Sequence, residues 1–415
     1  MIAHVDADSF FASVLQRKDP RLRGKPLLAL GMGGGCVIAA SYEAKAFGVK
    51  TGMRLLEARK LCPAALAVPS DFRETAVASE QIEAILRRQC PVVEEMSIDE
   101  WFLDLRSLVG GLPMNLAAWA KAEQTLIGRE TGLSVSVGVA PSKLLAKMAS
   151  EYRKPAGITV LALPFLHRRK GLGDGGALVI EEFLKDRPAA AIPGIGRRRM
   201  PQVEAHGWKT AWDIANAPAD QIIALCGRPG TEMQRELLGE CLSPVTTETA
   251  PPKSVSRARS FRPTRDRAFL WAHTLRHLEY TVLKMRRHSL MCRGVSMWLR
   301  RGPDADYAHM GANASLPQPA DTVEGILPFL HDCMENIFEA RHSYTQTGIA
   351  LWRLVPAGTP QFSLFEAPAK IEGAEDLQRS LDRLHERFGR NSITRGSALG
   401  VKSGTTMELE MSVYE

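Results

Sequence analysis

No run of apolar residues in this chain approaches the ~20 needed to cross a bilayer. The seven cysteines (Cys36, Cys62, Cys90, Cys226, Cys241, Cys292 and Cys333) include no CxxC pair, which argues against a zinc site or a disulfide framework and for reduced thiols. There is no internal repeat and no low-complexity tract. The opening segment, MIAHVDADSFFASV, lacks a basic stretch and a cleavage site, so no signal peptide is expected and a cytoplasmic location is the default. At 415 residues, with 45% hydrophobic and 24% charged residues, the chain has the composition of a soluble globular protein of two to four domains.

What is present is charge of one sign in one place. Lys253 to Arg301 holds thirteen Lys/Arg against only Asp266 and Glu279, a local charge of +11 in a chain whose total is +7. The remainder therefore sums to −4. Such a field favours a polyanion, nucleic acid above all, over a merely solvated basic face.

The first 165 residues alternate strand and helix signals. MIAHVDADSFF at the start of residues 1–14, VVEEMSIDEWFLDL (92–105) and LSVSVGVAPSK (133–143) read as strands. Residues 75–90, stopped by Pro91, and 114–132, ending at Gly132, read as helices. The alternation predicts an α+β layer with helices on one face. Residues 166–178 read as a loop, and 192–218 as helix, turn, helix around Pro193-Gly194-Ile195-Gly196. Residues 243–252 read as a linker. From 253 to 356 the pattern is strand, helix, strand, strand, helix, strand, which a four-stranded sheet backed by two helices would satisfy. A last amphipathic helix covers 374–389.

Four carboxylates draw attention. Asp6 and Asp8 share one face of the first strand, and Asp99 and Glu100 are adjacent inside an apolar run. A turn at 99–100 would let both of the latter reach one site. Acids converging there would repel unless divalent cations such as Mg²⁺ compensated them. N-capping and surface placement are the plain alternative, and spacing alone leaves both open.

Four segments in this order, HVDADSFFASV, ASYEAKAFGVKTGM, SIDEWFLDL and SVSVGVAPSKLLAKMASEYRKPAGITV, resemble the Y-family translesion DNA polymerases, of the bacterial polymerase IV and V catalytic-subunit type. The resemblance covers residues 1–165 by motif and 190–356 by architecture. It implies a multidomain α+β right-hand polymerase: palm (1–10 and 72–165), fingers (11–71), helical thumb with a helix-hairpin-helix (166–242), linker (243–252), α/β-sandwich little finger (253–356) and tail (357–415). It implies low-fidelity, template-directed addition of dNTPs to a primer 3′-hydroxyl on damaged primer-template DNA, without proofreading. Asp6, Asp99 and Glu100 match the catalytic carboxylates, which with the Ala7 carbonyl hold two Mg²⁺ ions. Asp8 matches an acidic position that is not a ligand and takes a supporting role.

Phe11 matches the steric gate against a ribose 2′-hydroxyl; Phe10 reads as core. Tyr42, Lys45 and Lys154 match the triphosphate contacts, with Lys45 where many relatives carry Arg. Gly194 and Gly196 match the DNA-phosphate hairpin of the thumb. GMGGGC (31–36) is a turn between fingers strands, since no GK[ST] follows. QFSLF resembles the pentapeptide that binds the sliding clamp (beta) dimer, through Gln361, Ser363, Leu364 and Phe365. A monomer is expected, with other damage-response proteins as further partners and no membrane. Trp101 departs from the family pattern, where a small residue follows the acidic pair, and puts packing at that hairpin in question. The alternative class is a noncatalytic DNA- and clamp-binding subunit of a mutagenesis complex, whose mark would be missing palm acids.

Overall fold

A computed structural model describes residues 1–32, 34–162, 177–248, 250–358, 377–384, 387–389, 392–393 and 395–396. The chain forms two compact units, the second beginning at Ala250. Among the described residues no helix is long and apolar enough to cross a membrane. All seven cysteines are free.

The first unit is built on a six-stranded sheet. In chain order its strands are β1 (Ile2–Ala7), β5 (Val93–Ser97), β6 (Glu100–Asp104), β7 (Val135–Ala140), β8 (Ile158–Ala162) and β9 (Leu178–Val179), arranged β5-β6-β1-β7-β8-β9. A smaller sheet joins β2 (Leu27–Leu30), β3 (Val37–Ala40) and β4 (Leu66–Pro69), with β2 central. β2 and β3 pair antiparallel on either side of the GMGGGC segment, as a turn there requires.

Every residue of β1 is buried, so the strand is covered on both faces. Alternation sends Ala3, Val5 and Ala7 toward a core that also takes Val93, Trp101, Leu103, Val135, Val137 and Val139. The helices α4 (Phe72–Gln89) and α5 (Leu116–Thr131) close that side. Asp71 caps α4 through its side chain, and Gly132, at φ +70°, ends α5 in the left-handed conformation that glycine tolerates. The opposite face carries Ile2, His4 and Asp6 and is covered by α6 (Lys143–Tyr152). The expected single helical face is thus wrong: apolar residues on both sides of β1 require helices on both.

The strand signal at 92–105 is a hairpin, with the turn expected beside the acidic pair. β5 and β6 pair antiparallel around a turn at Ile98–Asp99. Beyond β9 the unit is helical: Ile180–Asp186, Met200–Ala205, Ala211–Ala215, Ala219–Cys226 and Pro229–Leu237. The helix expected ahead of the Pro193–Gly196 turn is a single 3-10 turn, Ala189–Ala191, and Gly194 takes φ +97°.

The second unit is a four-stranded antiparallel sheet, β10 (Ser254–Thr264), β11 (Leu290–Arg301), β12 (His309–Ala320) and β13 (Tyr344–Pro356), in the order β10-β13-β11-β12. The helices Arg267–Arg287 and Val323–Ile337 share its core with Val255, Val295, Leu299, Ile349 and Leu351. This is the pattern expected from sequence. Part of its positive charge is spent internally: Arg267 pairs with Glu335, Arg301 with Glu339, and Arg286 with Asp321 and Asp382. Asp382 lies in the last helical segment, so that segment's place on the second unit is fixed by Arg286, joined by Arg395 on Glu279 (2.8 Å) and Glu324. The QFSLF segment, with Gln361, Ser363, Leu364 and Phe365, lies outside the described residues.

Candidate active site

The register of the central sheet assembles the acids. Asp6 sits directly opposite Glu100 across β1 and β6, and Ser136 opposite Asp6 on β7. His4, Asp6 and Glu100 each place one ligand atom within 4.8 Å of the others. Asp99 lies in the hairpin turn beside them, its backbone carbonyl accepting from the Ala7 N–H (2.9 Å). Its carboxylate accepts instead from Ser97 Oγ at 2.6 Å, so Asp99 stands outside that three-residue group. Asp6 is 4% exposed and Asp8 1% exposed.

Two lysines of the α6 region neutralise the acids. Lys154 Nζ donates to Asp6 Oδ1 (2.5 Å) and to Glu151 (2.5 Å), and Lys147 pairs with Glu100. Lys143, Lys147 and Glu151 recur every four residues, which puts them on one face of α6. Gly138 lets that helix approach: a Cβ there would lie 2.1 Å from the Ala146 carbonyl. Lys147 and His4 were not singled out from sequence. His4 had a signal, the same strand face as Asp6, whereas Lys147 reaches Glu100 only because Gly138 seats α6.

The electrostatics follow from burial. Burial pushes the Asp6 carboxyl up, and Lys154 pulls it back only partly. Burial alone would lower the Lys154 ammonium, but Asp6 and Glu151 raise it above the ordinary lysine range. Burial raises Asp99, with Ser97 opposing. His4 is held well below the usual imidazole range by burial and then by Lys147 and Lys154, so its ring is neutral near pH 7. Its Nδ1 meets Ser150 Oγ at 2.8 Å, while Nε2 is buried without a hydrogen-bond partner. Clustered hard carboxylate oxygens, one of them buried against its own ionisation, fit a divalent cation.

The remaining expected residues surround this face. Phe11 is the second residue of the helix α1 (Phe10–Lys18), with its ring edge-on to Phe10 (6.2 Å) and Phe72 (5.8 Å). Phe10 is buried in the core, as read from sequence. Tyr42 and Lys45 bound the short helix α2 (Tyr42–Lys45), capped by Ser41. Tyr42 OH donates to Asp8 (3.3 Å), and Lys45 Nζ donates to Ser9 Oγ (2.7 Å) while lying over the Tyr42 ring. The structure therefore gathers Asp6, Glu100, Lys154, Tyr42 and Lys45 around the end of β1. Gly194 and Gly196 lie apart from this group in the helical region, where the Gly194 carbonyl accepts from Arg199 (2.6 Å). Trp101, which left packing at the hairpin in question, sits in the core. As the neighbour of Glu100 it points to the other face, fully buried in the α4–α5 core, its indole N–H without a partner.

Residues 5–151 match the impB/mucB/samB family, and residues 252–364 match that family's C-terminal domain. The chain is 32% identical over 411 residues to DNA polymerase IV of Moorella thermoacetica, covering 95% of each chain. It is 35% identical over 300 residues to DNA polymerase IV of Xanthomonas axonopodis pv. citri, covering 72% of this chain and 79% of the relative. In fold it is similar to a Y-family DNA polymerase chimera, Dbh-Dpo4(243-245)-Dbh, at a TM-score of 0.68 and 22% identity, covering 86% of this chain and 99% of the other. DinB from Sulfolobus solfataricus is also similar, at a TM-score of 0.55 and 23% identity over the same shares. The chain belongs to the impB/mucB/samB family of Y-family translesion DNA polymerases, and it is a DNA-directed DNA polymerase.

Proposed function

We propose that this polymerase extends a primer 3′-hydroxyl with dNTPs on damaged templates, at low fidelity and without proofreading, from the face of β1 that carries Asp6. The observation that carries the reading is the opposition of Asp6 and Glu100 across β1 and β6, with Lys147 and Lys154 beside them. Asp6, Asp99, Glu100 and the Ala7 carbonyl would hold two Mg²⁺ ions. When bound, those ions supply the positive charge that offsets the carboxylates and the developing charge of nucleotidyl transfer.

The chain's own residues do the rest. Lys154, Lys45 and Tyr42 bind and orient the triphosphate, Lys154 exchanging a carboxylate partner for phosphate oxygens. A lysine there acts as a point charge, where arginine would form a planar fork. Phe11, braced edge-on by Phe10 and Phe72, excludes a sugar bearing a 2′-hydroxyl by occupied volume. The strand-rich core of the first unit serves as palm, residues 11–71 as fingers and 166–242 as thumb, with Gly194 and Gly196 at a DNA phosphate. The second unit, as little finger, grips duplex backbone through its exposed basic residues. Residues 361–365 bind the sliding clamp, and the protein acts as a cytoplasmic monomer. The noncatalytic alternative is not favoured, because Asp6, Asp99 and Glu100 are all present.

The test is primer extension by the purified chain on intact and damaged templates. Extension is expected with Mg²⁺ and abolished by a chelator. Absence of extension on every template with Mg²⁺ and dNTPs would overturn the reading.

A further inference from the structure

Asp8 differs from the acids beside it. It is 1% exposed, and among the described residues no cation pairs with it. Both of its carboxylate oxygens are taken by protein donors. Oδ1 accepts from Ser136 Oγ (2.8 Å) and Tyr42 OH (3.3 Å), and Oδ2 accepts from the Ala156 backbone N–H (2.8 Å). Its own backbone is tied as well: the N–H donates to the Ser134 carbonyl (3.0 Å), and the carbonyl accepts from Ser13 Oγ (2.6 Å). Four pieces of chain converge on one residue: β7, the turn after α6, α1 and α2. With three donors on its two oxygens and none of them a cation, Asp8 is spent on neutral protein groups, whereas Asp6 is held by the Lys154 ammonium.

The donors are not arbitrary. Tyr42 is a triphosphate contact in the reading above, and Ala156 lies two residues after Lys154, another such contact. Ser136 Oγ also accepts from the Gly157 N–H (3.2 Å), which fastens the same turn a second time. Two non-glycine residues in left-handed backbone flank the junction, Ser9 at φ 47° and Ala156 at φ 54°. Such conformations are disfavoured for residues with a Cβ and persist where the surroundings hold them. Ser9 launches the helix that bears Phe11, and its side chain accepts from Lys45.

We propose that Asp8 is a positioning residue for nucleotide binding, the joint that holds Tyr42 from one side and the Lys154 turn from the other at a fixed separation. It touches neither metal nor nucleotide and acts through those two residues. Because they grip the triphosphate in ground state and transition state alike, loosening the joint raises the KM for dNTP more than it lowers kcat. This inference rests on the assignment of Tyr42 and Lys154 to the triphosphate.

Single-nucleotide insertion kinetics of the full chain on primer-template DNA tests it. Asp8→Ala is expected to raise KM for dNTP about tenfold or more, with kcat within about threefold of wild type, and Asp8→Asn to fall between. Tyr42→Phe should raise KM a few-fold in the wild-type background and clearly less in Asp8→Ala, because part of what the hydroxyl does runs through its hydrogen bond to Asp8. A folded Asp8→Ala protein with wild-type KM overturns the proposal, as does a Tyr42→Phe effect of equal size in both backgrounds. Should Asp8→Ala not fold, Ser136→Ala removes one donor and decides the matter the same way, a raised KM supporting the joint and an unchanged one refuting it. Lys154→Ala is measured alongside. If it raises KM while the Asp8 variants do not, Asp8 alone is overturned; if it too leaves KM unchanged, the triphosphate assignment has failed and takes the inference with it.

Discussion

The six-stranded and the four-stranded sheet of this protein treat charge in opposite ways. The six-stranded sheet buries Asp6 and Asp8, half-buries Glu100, and gives each a named partner: Asp6 has Lys154, Glu100 has Lys147, and Asp8 has Ser136, Tyr42 and the Ala156 N–H. The four-stranded sheet keeps a surplus of cations near its surface, and Arg262, Arg287 and Arg293 are exposed. Chemistry on a phosphate requires groups held to fractions of an ångström, which only a buried, mutually braced set achieves. A grip on a polyanion needs only summed charge, which tolerates loose placement and redundancy.

The comparison can be broken at several points. Asp6→Asn should lower kcat for nucleotide insertion by about a thousandfold or more, since it removes a central charge of the site. Insertion kinetics under saturating dNTP measure this. Phe11→Ala should raise the relative use of ribonucleotides by about tenfold or more while leaving deoxynucleotide insertion nearly intact, read from competing dNTP and rNTP insertion rates.

Burial without a partner is the next lever. Glu123, on α5, is 5% exposed, its Oε2 lacks a hydrogen-bond partner, and burial pushes its carboxyl up to about 7. The unfolded chain releases this proton nearer the ordinary 4.5, so Glu123 costs nothing at low pH. Its cost grows as pH rises from about 4.5 to 7 and is full above that. Glu123→Gln should therefore stabilise the protein by about 2 kcal/mol at pH 8, with the gain gone near pH 4.5, as denaturant titrations at the two pH values would show. The smallest effect belongs to the basic sheet. Arg293→Ala should weaken primer-template binding only about two- to fivefold and lower the slope of log affinity against log salt by about one, measured by fluorescence anisotropy.

The same contrast explains what could be read from the chain. Asp6, Asp99 and Glu100 drew attention because they interrupt apolar strand sequence, where a carboxylate demands an explanation, but spacing left capping and surface placement open and only the four-motif resemblance gave them a role. The second unit was legible element by element, because each strand and helix has a clear period and its turns are local. Less legible were features decided by distant packing. Lys147 looked like any helical lysine until Gly138 seated α6 on β7. The burial of β1 on both faces hid the second helical layer, since a doubly buried strand shows no alternation. Trp101 looked like an intrusion because adjacency in sequence suggests adjacency in space. In a strand it means the reverse, and the indole packs behind the sheet that presents Glu100.

The central claim is that the palm carboxylates carry the chemistry while the basic domain carries the grip. Asp99→Ala separates the two when insertion rate and primer-template affinity are measured on one preparation. The account predicts a kcat at least about a hundredfold below wild type with affinity within about twofold. A kcat within tenfold of wild type, or a loss of affinity large enough to explain the lost rate, would contradict it.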